Sequence, residues 1–395
     1  MVAMDRKLRI LILAPCSCFK DCGEHVRIYE EARSLVRRGH MVRIVSYDSG
    51  RDMPDIKIDR ITPVGWLKKL PLKPAWCKPY MDFILMKQAL KSAGSFRPHL
   101  IHAHHHQGAR IGAALKKRLG IPLLFDCQQS LTAEMIDSGV IRTDSIMHRY
   151  LCRQEKLINA GPADHIIASS AALARNLISQ WGVAENSVST LTDGVNTALF
   201  MPHQREEARA KLKIPQGAQL VVYLGALNRS QGIDTLLSAI VQLKSRGSNI
   251  RFMIMGDGDE PYRAMAQDLG IERMIIFTGA IDYLKAPLYL SVGDVAVSPK
   301  ISLNESNSKL LNYMACGLPT VAFDMPVNRE LLGDAGIYAE YGDCSDLAAK
   351  LTALMENSEE RIRLGALGIT RAERLHTCDA RGADLDEIYR VKLKR

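Results

Sequence analysis

Apolar residues along this chain come in short unbroken runs, and each run is followed by a stretch with helical spacing. In the first half the runs fall at Leu8–Ala14, Met41–Tyr47, Leu100–Ala103, Pro122–Phe125, His165–Ala168 and Val188–Leu191. Between them, apolar positions three and four apart predict helices at Glu24–Arg38, Pro79–Lys91, Ala109–Leu119, Ser145–Asn159 and Ala171–Gln180. A strand that is apolar at every position is buried on both faces, and strands separated by helices pair in parallel. Residues 193–219 break the rhythm, being polar, charged and free of a predicted strand. A second series then follows, with strands at Leu220–Leu224, Ile250–Met255, Met274–Phe277, Val295–Ser298, Thr320–Phe323 and Gly336–Ala339. Its helices are expected near Ile233–Arg246, Tyr262–Leu269, Ile281–Ser291, Ser306–Ala315 and Ser345–Asn357, with two more after them at Glu359–His376 and Asp379–Lys392. The pattern predicts an α/β protein of two doubly wound parallel-sheet (Rossmann-like) domains, residues 1–198 and 199–374, with a last helix in 375–395 that can pack back on the first. Open parallel sheets bind ligands beyond the carboxyl ends of their strands, so two such sheets facing each other imply a cleft between them.

The stretch N-E-S-N-S-K-L-L-N-Y-M-A-C-G-L-P, Asn304–Pro319, carries the most chemistry. A polar cluster leads into Leu310, Leu311, Tyr313 and Met314 on one helix face, and Gly317 and Pro319 end the helix. Asn304 or Ser306 is the expected N-cap, which puts Ser306, Asn307 and Lys309 at the positive end of a helix with spare N–H groups. Such an end binds an anion. Glu305 beside it is free to hold sugar hydroxyls.

Composition changes this picture little. The chain has 395 residues, 47% hydrophobic and 24% charged, as in an ordinary globular protein of two or three domains. No apolar run reaches the roughly 18 residues that cross a bilayer. The start, M-V-A-M-D-R-K-L-R-I-L-I-L-A-P-C, reads as a first buried strand in preference to a secretion signal. Nine scattered cysteines form no disulfide framework, which favours a reduced, cytoplasmic setting, with peripheral contact on the inner face of the membrane left open. A formal charge of +9 favours anionic partners, whether a nucleotide, a polyanion or a membrane surface.

Other motifs are weaker singly. Gly23 opens a helix after a long loop, and Gly225-Ala-Leu-Asn-Arg-Ser-Gln-Gly232 is a second glycine-bounded turn whose one cation is Arg229. Gly256-Asp-Gly258 has two glycines of a dinucleotide fingerprint, but Pro261 stands at the third, against NAD or FAD. Histidines 99, 102, 104, 105 and 106 crowd one strand end without the carboxylate pattern of a metal site, and Cys16, Cys18 and Cys22 lack a second pair, so no metal is expected. The run Trp66–Tyr80 mixes lysines with aromatics. It reads either as a solvated connection or as a segment resting on an anionic membrane or clamping an acceptor.

Taken in order, G-E-H-V-R-I-Y-E-E-A-R, I-H-A-H, D-G-V-N-T-A-L-F-M-P, G-A-L-N-R-S-Q-G-I-D-T-L-L, M-G-D-G and Y-M-A-C-G-L-P-T-V-A resemble glycosyltransferase family 4, the retaining group with the GT-B fold. The resemblance implies metal-independent transfer of a sugar from a nucleoside-diphosphate sugar, UDP- or GDP-linked, to an acceptor hydroxyl on a lipid, polysaccharide or small molecule. It implies no cofactor and no nucleic-acid partner. By the same resemblance Gly23, Gly225, Arg229, Asn304, Ser306, Asn307, Lys309 and Asn312 would hold the donor, and Glu305, Gln128 and His104 would serve catalysis. Several positions depart from the family: Cys22 replaces the first glycine of its Gly-Gly loop, Gln128 its histidine, and Asn304 the first of two glutamates, with Glu305 one place later. Ala226 and Gln231 stand where it has Arg and Lys, and Asn312 where it has the second of two glutamates. Those departures keep open a weak or inactive nucleotide-sugar-binding protein on the same fold, and the histidine cluster, as a source of acid/base groups, keeps open a sugar-nucleotide epimerase.

Overall fold

The computed structural model describes residues 7–19, 21, 23–63, 78–137, 141–303 and 305–393. In chain order the first half contains β1 (Arg9–Ala14), α1 (Gly23–Arg37), β2 (Met41–Ser46), β3 (Lys57–Arg60), α2 (Lys78–Phe96), β4 (Leu100–His104), α3 (His105–Leu119) and β5 (Leu123–Cys127). It continues through α4 (Leu131–Asp137), α5 (Ile146–Asn159), β6 (His165–Ala168), α6 (Ala171–Ser179) and β7 (Val188–Thr190). The seven strands form one parallel sheet in the order β3-β2-β1-β4-β5-β6-β7. Successive residues of β1 serve opposite faces. Ile10 and Ile12 join Ile28 and Leu35 of α1, whereas Leu11 and Leu13 meet Leu85 of α2 and Leu115 of α3. That two-sided burial is what the unbroken apolar runs encode.

After α7 (Arg205–Lys211) the second half runs β8 (Leu220–Leu224), α8 (Ile233–Ser245), β9 (Arg251–Met255), α9 (Glu260–Asp268), β10 (Ile275–Gly279), α10 (Ala286–Leu290), β11 (Val295–Ser298) and α11 (Lys309–Ala315). It ends with β12 (Thr320–Phe323), α12 (Pro326–Leu332), β13 (Gly336–Ala339), α13 (Cys344–Glu356), α14 (Ser358–Leu375) and α15 (Cys378–Leu393). Its six-stranded parallel sheet has the order β10-β9-β8-β11-β12-β13. In both sheets the order reverses beside the first strand, so the switch points of the two domains can share one cleft.

The short helices α4, α7 and α12 are not among the expected elements. Nor is the edge strand β3, since Lys57-Ile58-Asp59-Arg60 is mostly charged and has no buried residue. Helix α11 starts at Lys309 rather than Ser306. Ser308 is its N-cap, without a side-chain capping bond.

The halves are joined by charge and aromatic contacts. Arg51 of the first domain bonds Asp282 of the second at 2.6 Å, and Asp21 accepts from the Tyr283 N–H at 2.8 Å. The Tyr283 hydroxyl donates to Glu30 at 3.0 Å, and its ring packs on Phe19 and Phe200. Helix α15 crosses back to the first domain and lies against α1. There Arg381 holds Glu31 at 2.6 Å, and the Tyr389 hydroxyl meets His102 Nδ1 at 2.6 Å.

Candidate functional site

A cleft of about 460 Å³ lies between the two sheets. From the first domain it is lined by Gly23, Glu24, Arg27, Gln128 and Ser169, and from the second by Gly225, Lys300, Glu305, Ser306, Lys309 and Asn312. Gly23 opens the four-turn helix α1 and lines the gap together with Glu24, so the positive end of that helix stands at the cleft. A Cβ built on Gly23 would stand 3.3 Å from Ser308 Oγ, so the starts of α1 and α11 approach each other across the cleft.

The second-domain wall is built around two lysines and one carboxylate. Lys300 follows β11, is 1% exposed, and donates to the Ser306 carbonyl at 2.6 Å while pairing with Glu305 at 2.9 Å. Lys309 Nζ donates to Gln231 Oε1 at 2.5 Å and to the Tyr223 hydroxyl at 3.2 Å, and sits over the Tyr223 ring. Gly225 leaves room for it. Its φ of +149° suits glycine, and a Cβ there would meet Lys309 Nζ at 3.0 Å. Burial, reinforced by the like charge of Lys300, holds the Lys309 amine well below the usual lysine range, and Glu305 only partly opposes this. A bound anion would reverse the shift, because an opposite charge favours the protonated amine. Gln231, which stands where the resemblance expects lysine, thus accepts a hydrogen bond from a lysine on another element.

Glu305 also accepts from Gln231 Nε2 at 3.4 Å, so its carboxylate is oriented by two groups and faces the cleft. Asn312 lies one turn beyond Lys309 on the same wall.

Three expected residues take other places. Arg229 is exposed and does not line the cleft. Asn307 reaches the lining, but its side chain is spent on Ser298 at 2.9 Å and Asn328 at 2.7 Å, tying the loop before α11 to β11 and α12. His104 is wholly buried beneath Gln128, whose amide meets His104 Nδ1 at 3.2 Å. Burial, and the neighbouring His102 after it, press its pKa well below the usual histidine range, so His104 is a neutral support for Gln128. Asn304 lies outside the described residues, as do Cys22 and most of Trp66–Tyr80.

The floor of the cleft escaped the sequence reading. Arg27 donates to Asp193 at 2.5 Å and to Asp126 at 2.7 Å, and lies 3.1 Å from Glu31. Burial opposes the charged form of Asp193, but Arg27 and Arg381 outweigh it and hold its pKa low. The residues stood in the G-E-H-V-R and D-G-V-N motifs, yet nothing local tells that they meet. Glu31, His102, His104 and Asp126 could also hold a metal by distance. Glu31 and Asp126 are already bound by Arg27 and Arg381, His102 by Tyr389, and His104 by Gln128. A cation there would have to displace guanidinium groups, and we assign the cluster to structure. His105 and His106 stand near Glu24 and Glu155, and His99 accepts from the Arg9 N–H. None of the histidines lines the cleft, which removes the basis for acid/base chemistry by the cluster.

Comparison with known proteins places two family models end to end on the chain. A glycosyl transferase 4-like domain matches residues 23–194, and glycosyl transferases group 1 matches residues 204–371. The chain is 26% identical to a D-inositol 3-phosphate glycosyltransferase of Thermomonospora curvata, over 93% of this chain and 90% of that one. It is also 26% identical to the protein so named in Thermobifida fusca, over 89% and 85%. Among solved structures, sucrose-phosphate synthase from Thermosynechococcus elongatus superposes with a TM-score of 0.83 at 18% identity, covering 97% of this chain and 98% of that one. Anabaena Alr3699/HepE in complex with UDP-glucose gives 0.78 at 17%, covering 97% and 100%.

Proposed function

The chain belongs to the group 1, family-4-like glycosyltransferases, nucleotide-sugar enzymes of the GT-B fold, and from that premise we propose that it is a retaining, metal-independent transferase acting on a UDP-sugar. The carrying observation is the second-domain wall, where Lys300, Lys309 and Glu305 face Gly23 and Gln128 across one cleft. In this reading Asn312 hydrogen-bonds the ribose, without the charge assistance of a carboxylate. The diphosphate lies between Lys309 and the start of α1, and Glu305 accepts from hydroxyls of the transferred sugar. UDP is favoured over GDP because Alr3699/HepE, of the same fold, is known with UDP-glucose.

As the bond from the anomeric carbon to the diphosphate breaks, negative charge grows on the leaving oxygen. Donors already aimed there lower the barrier. The acceptor hydroxyl attacks the face the diphosphate vacates, and its proton passes to a diphosphate oxygen, so sugar–O–acceptor and free UDP are the products. No nucleophile of the protein is required. In this reading Lys309, protonated as the anion binds, and Lys300 beside it supply the charge that a metal supplies in other transferases.

Incubation with radiolabelled UDP-sugars and a set of acceptors, with and without a chelator, tests this. Transfer with anomeric configuration kept and unaffected by the chelator is expected. Glu305→Gln should lower transfer roughly 10²–10³-fold, as losing one group that acts in the transition state does. Unchanged transfer by that variant, inverted product or a strict metal requirement would overturn the corresponding part.

A further inference from the structure

Helix α5 lies on the first domain, outside the cleft, and its outward half is divided lengthwise. Its inner side carries Glu155 and Asn159, both buried. On the outer side Ile146 is 79% exposed, Leu157 60%, Tyr150 56% and Met147 53%. Ile146, Tyr150 and Leu157 recur at intervals of four and seven, so they form one apolar strip along the helix. Arg149, Arg153 and Lys156, also exposed, recur at four and three and form a basic strip beside it. Glu155 is the only carboxylate in the helix. Among the described residues none of the three cations lies within ion-pair distance of an acid.

A helix with large apolar side chains and unpaired cations on one exposed half has paid, in a monomer, to keep both in water. Its complement is a surface that is apolar at depth and negative at its rim. We propose that α5 docks this protein on an anionic lipid bilayer. The helix lies in the plane of the headgroups, with Ile146, Tyr150 and Leu157 dipping to the acyl boundary and the basic strip on lipid phosphates. The tyrosine suits that depth, having an apolar ring and a polar tip. The formal charge of +9 over the chain acts in the same direction.

The placement bears on the site. Buried Glu155 accepts from the N–H groups of Leu131 and Thr132 and from the Thr132 hydroxyl, so α5 clamps the turn after β5. Gln128 and Gln129, which line the cleft, precede that turn directly. The docking helix and the first-domain rim of the cleft are therefore tied directly by hydrogen bonds.

The test is sedimentation of the full chain with vesicles of phosphatidylcholine alone and of phosphatidylcholine mixed with phosphatidylglycerol. Binding to the mixed vesicles only, weakening as salt rises, is expected. Each cation near an anionic surface contributes about a fivefold gain, so Arg149→Glu with Arg153→Glu and Lys156→Glu should weaken binding at least roughly a hundredfold. Tyr150→Ser with Leu157→Ser should weaken it roughly tenfold or more. Ile362→Ser, which removes an equally exposed side chain on α14, should leave it unchanged. All these positions are exposed, and unchanged melting temperatures establish that the variants fold. Equal binding to both vesicle types, or full binding by the α5 variants, would overturn the proposal. So would a dimer in lipid-free solution that Leu157→Ser dissolves, which would assign the face to a second copy of the chain. Vesicle binding is read without donor or acceptor, so its failure leaves the transfer reaction standing, and the reverse holds too.

Discussion

Replacing Lys309 with methionine separates the donor site from the fold, because the two expected effects have opposite signs. Folding holds the Lys309 amine below its usual pKa, by burial first and by the charge of Lys300 next. The folded chain therefore binds fewer protons there than the unfolded chain. Lys309 costs stability at neutral pH, and the cost shrinks as pH rises towards the unfolded value near 10.4. Methionine has similar length and no charge to desolvate. Against this gain, Gln231 Oε1 loses its 2.5 Å donor, worth about 1 kcal/mol in a part-buried position. The melting temperature at pH 7 should be unchanged or higher, and the rise of stability with pH on the alkaline side should flatten. Donor binding should move the other way. A hydrogen bond from an ammonium to a phosphate contributes about 1.5–3 kcal/mol, so UDP affinity should drop roughly 10- to 150-fold. Calorimetric titration with UDP and thermal unfolding from pH 6 to 10 read both effects. UDP bound as tightly by the variant as by the unaltered chain would place the diphosphate elsewhere. Lost affinity with a lower melting temperature would show that Lys309 serves the fold.

Two further predictions concern stability. Arg381→Met should lower unfolding free energy by about 3–5 kcal/mol in denaturant titration, because Glu31 and Asp126 lose a buried counter-charge and the carbonyls of Leu191 and Thr192 lose a donor. Burial, and the charge of Arg371 after it, press His376 down to about 4 from the ordinary 6.5, so it folds neutral. Between those values the unfolded chain binds the extra proton, and stability should fall as pH drops from about 6.5 to about 4, by roughly 3 kcal/mol for this residue. His376→Leu should flatten that slope, and an unaltered slope would contradict the assignment.

What the sequence displayed was the double winding, since a parallel strand covered on both faces is apolar along its length, and twelve of the thirteen strands could be read directly. Lys57–Arg60 could not, because an edge strand with partly exposed side chains has no such signature. The polar cluster before α11 was visible as a helix entry, but its bonding was not. Asn307 reads as a donor-binding residue at the helix entry until β11 and α12 bring Ser298 and Asn328 to its amide. The histidines show the same limit. Alternation along β4 sends His102 and His104 to one face, and only the tertiary fold reveals that this face is filled by Glu31, Asp126 and Tyr389. Arg27 and Arg381 come from opposite ends of the chain to share those carboxylates. The missing loop lysine was legible as an absence at Gln231 and Lys309 was already a donor-binding candidate, but that Lys309 meets Gln231 itself was visible only in the fold.

The most direct measurement is the diffraction of a crystal of this protein grown with UDP and no divalent metal. The account predicts the diphosphate in the cleft, with an oxygen within hydrogen-bonding distance of Lys309 Nζ, the first N–H groups of α1 beside it, and the Glu305 carboxylate left open towards the sugar position. UDP lodged outside the cleft, or a diphosphate with both Lys300 and Lys309 still turned to their protein partners, would contradict it.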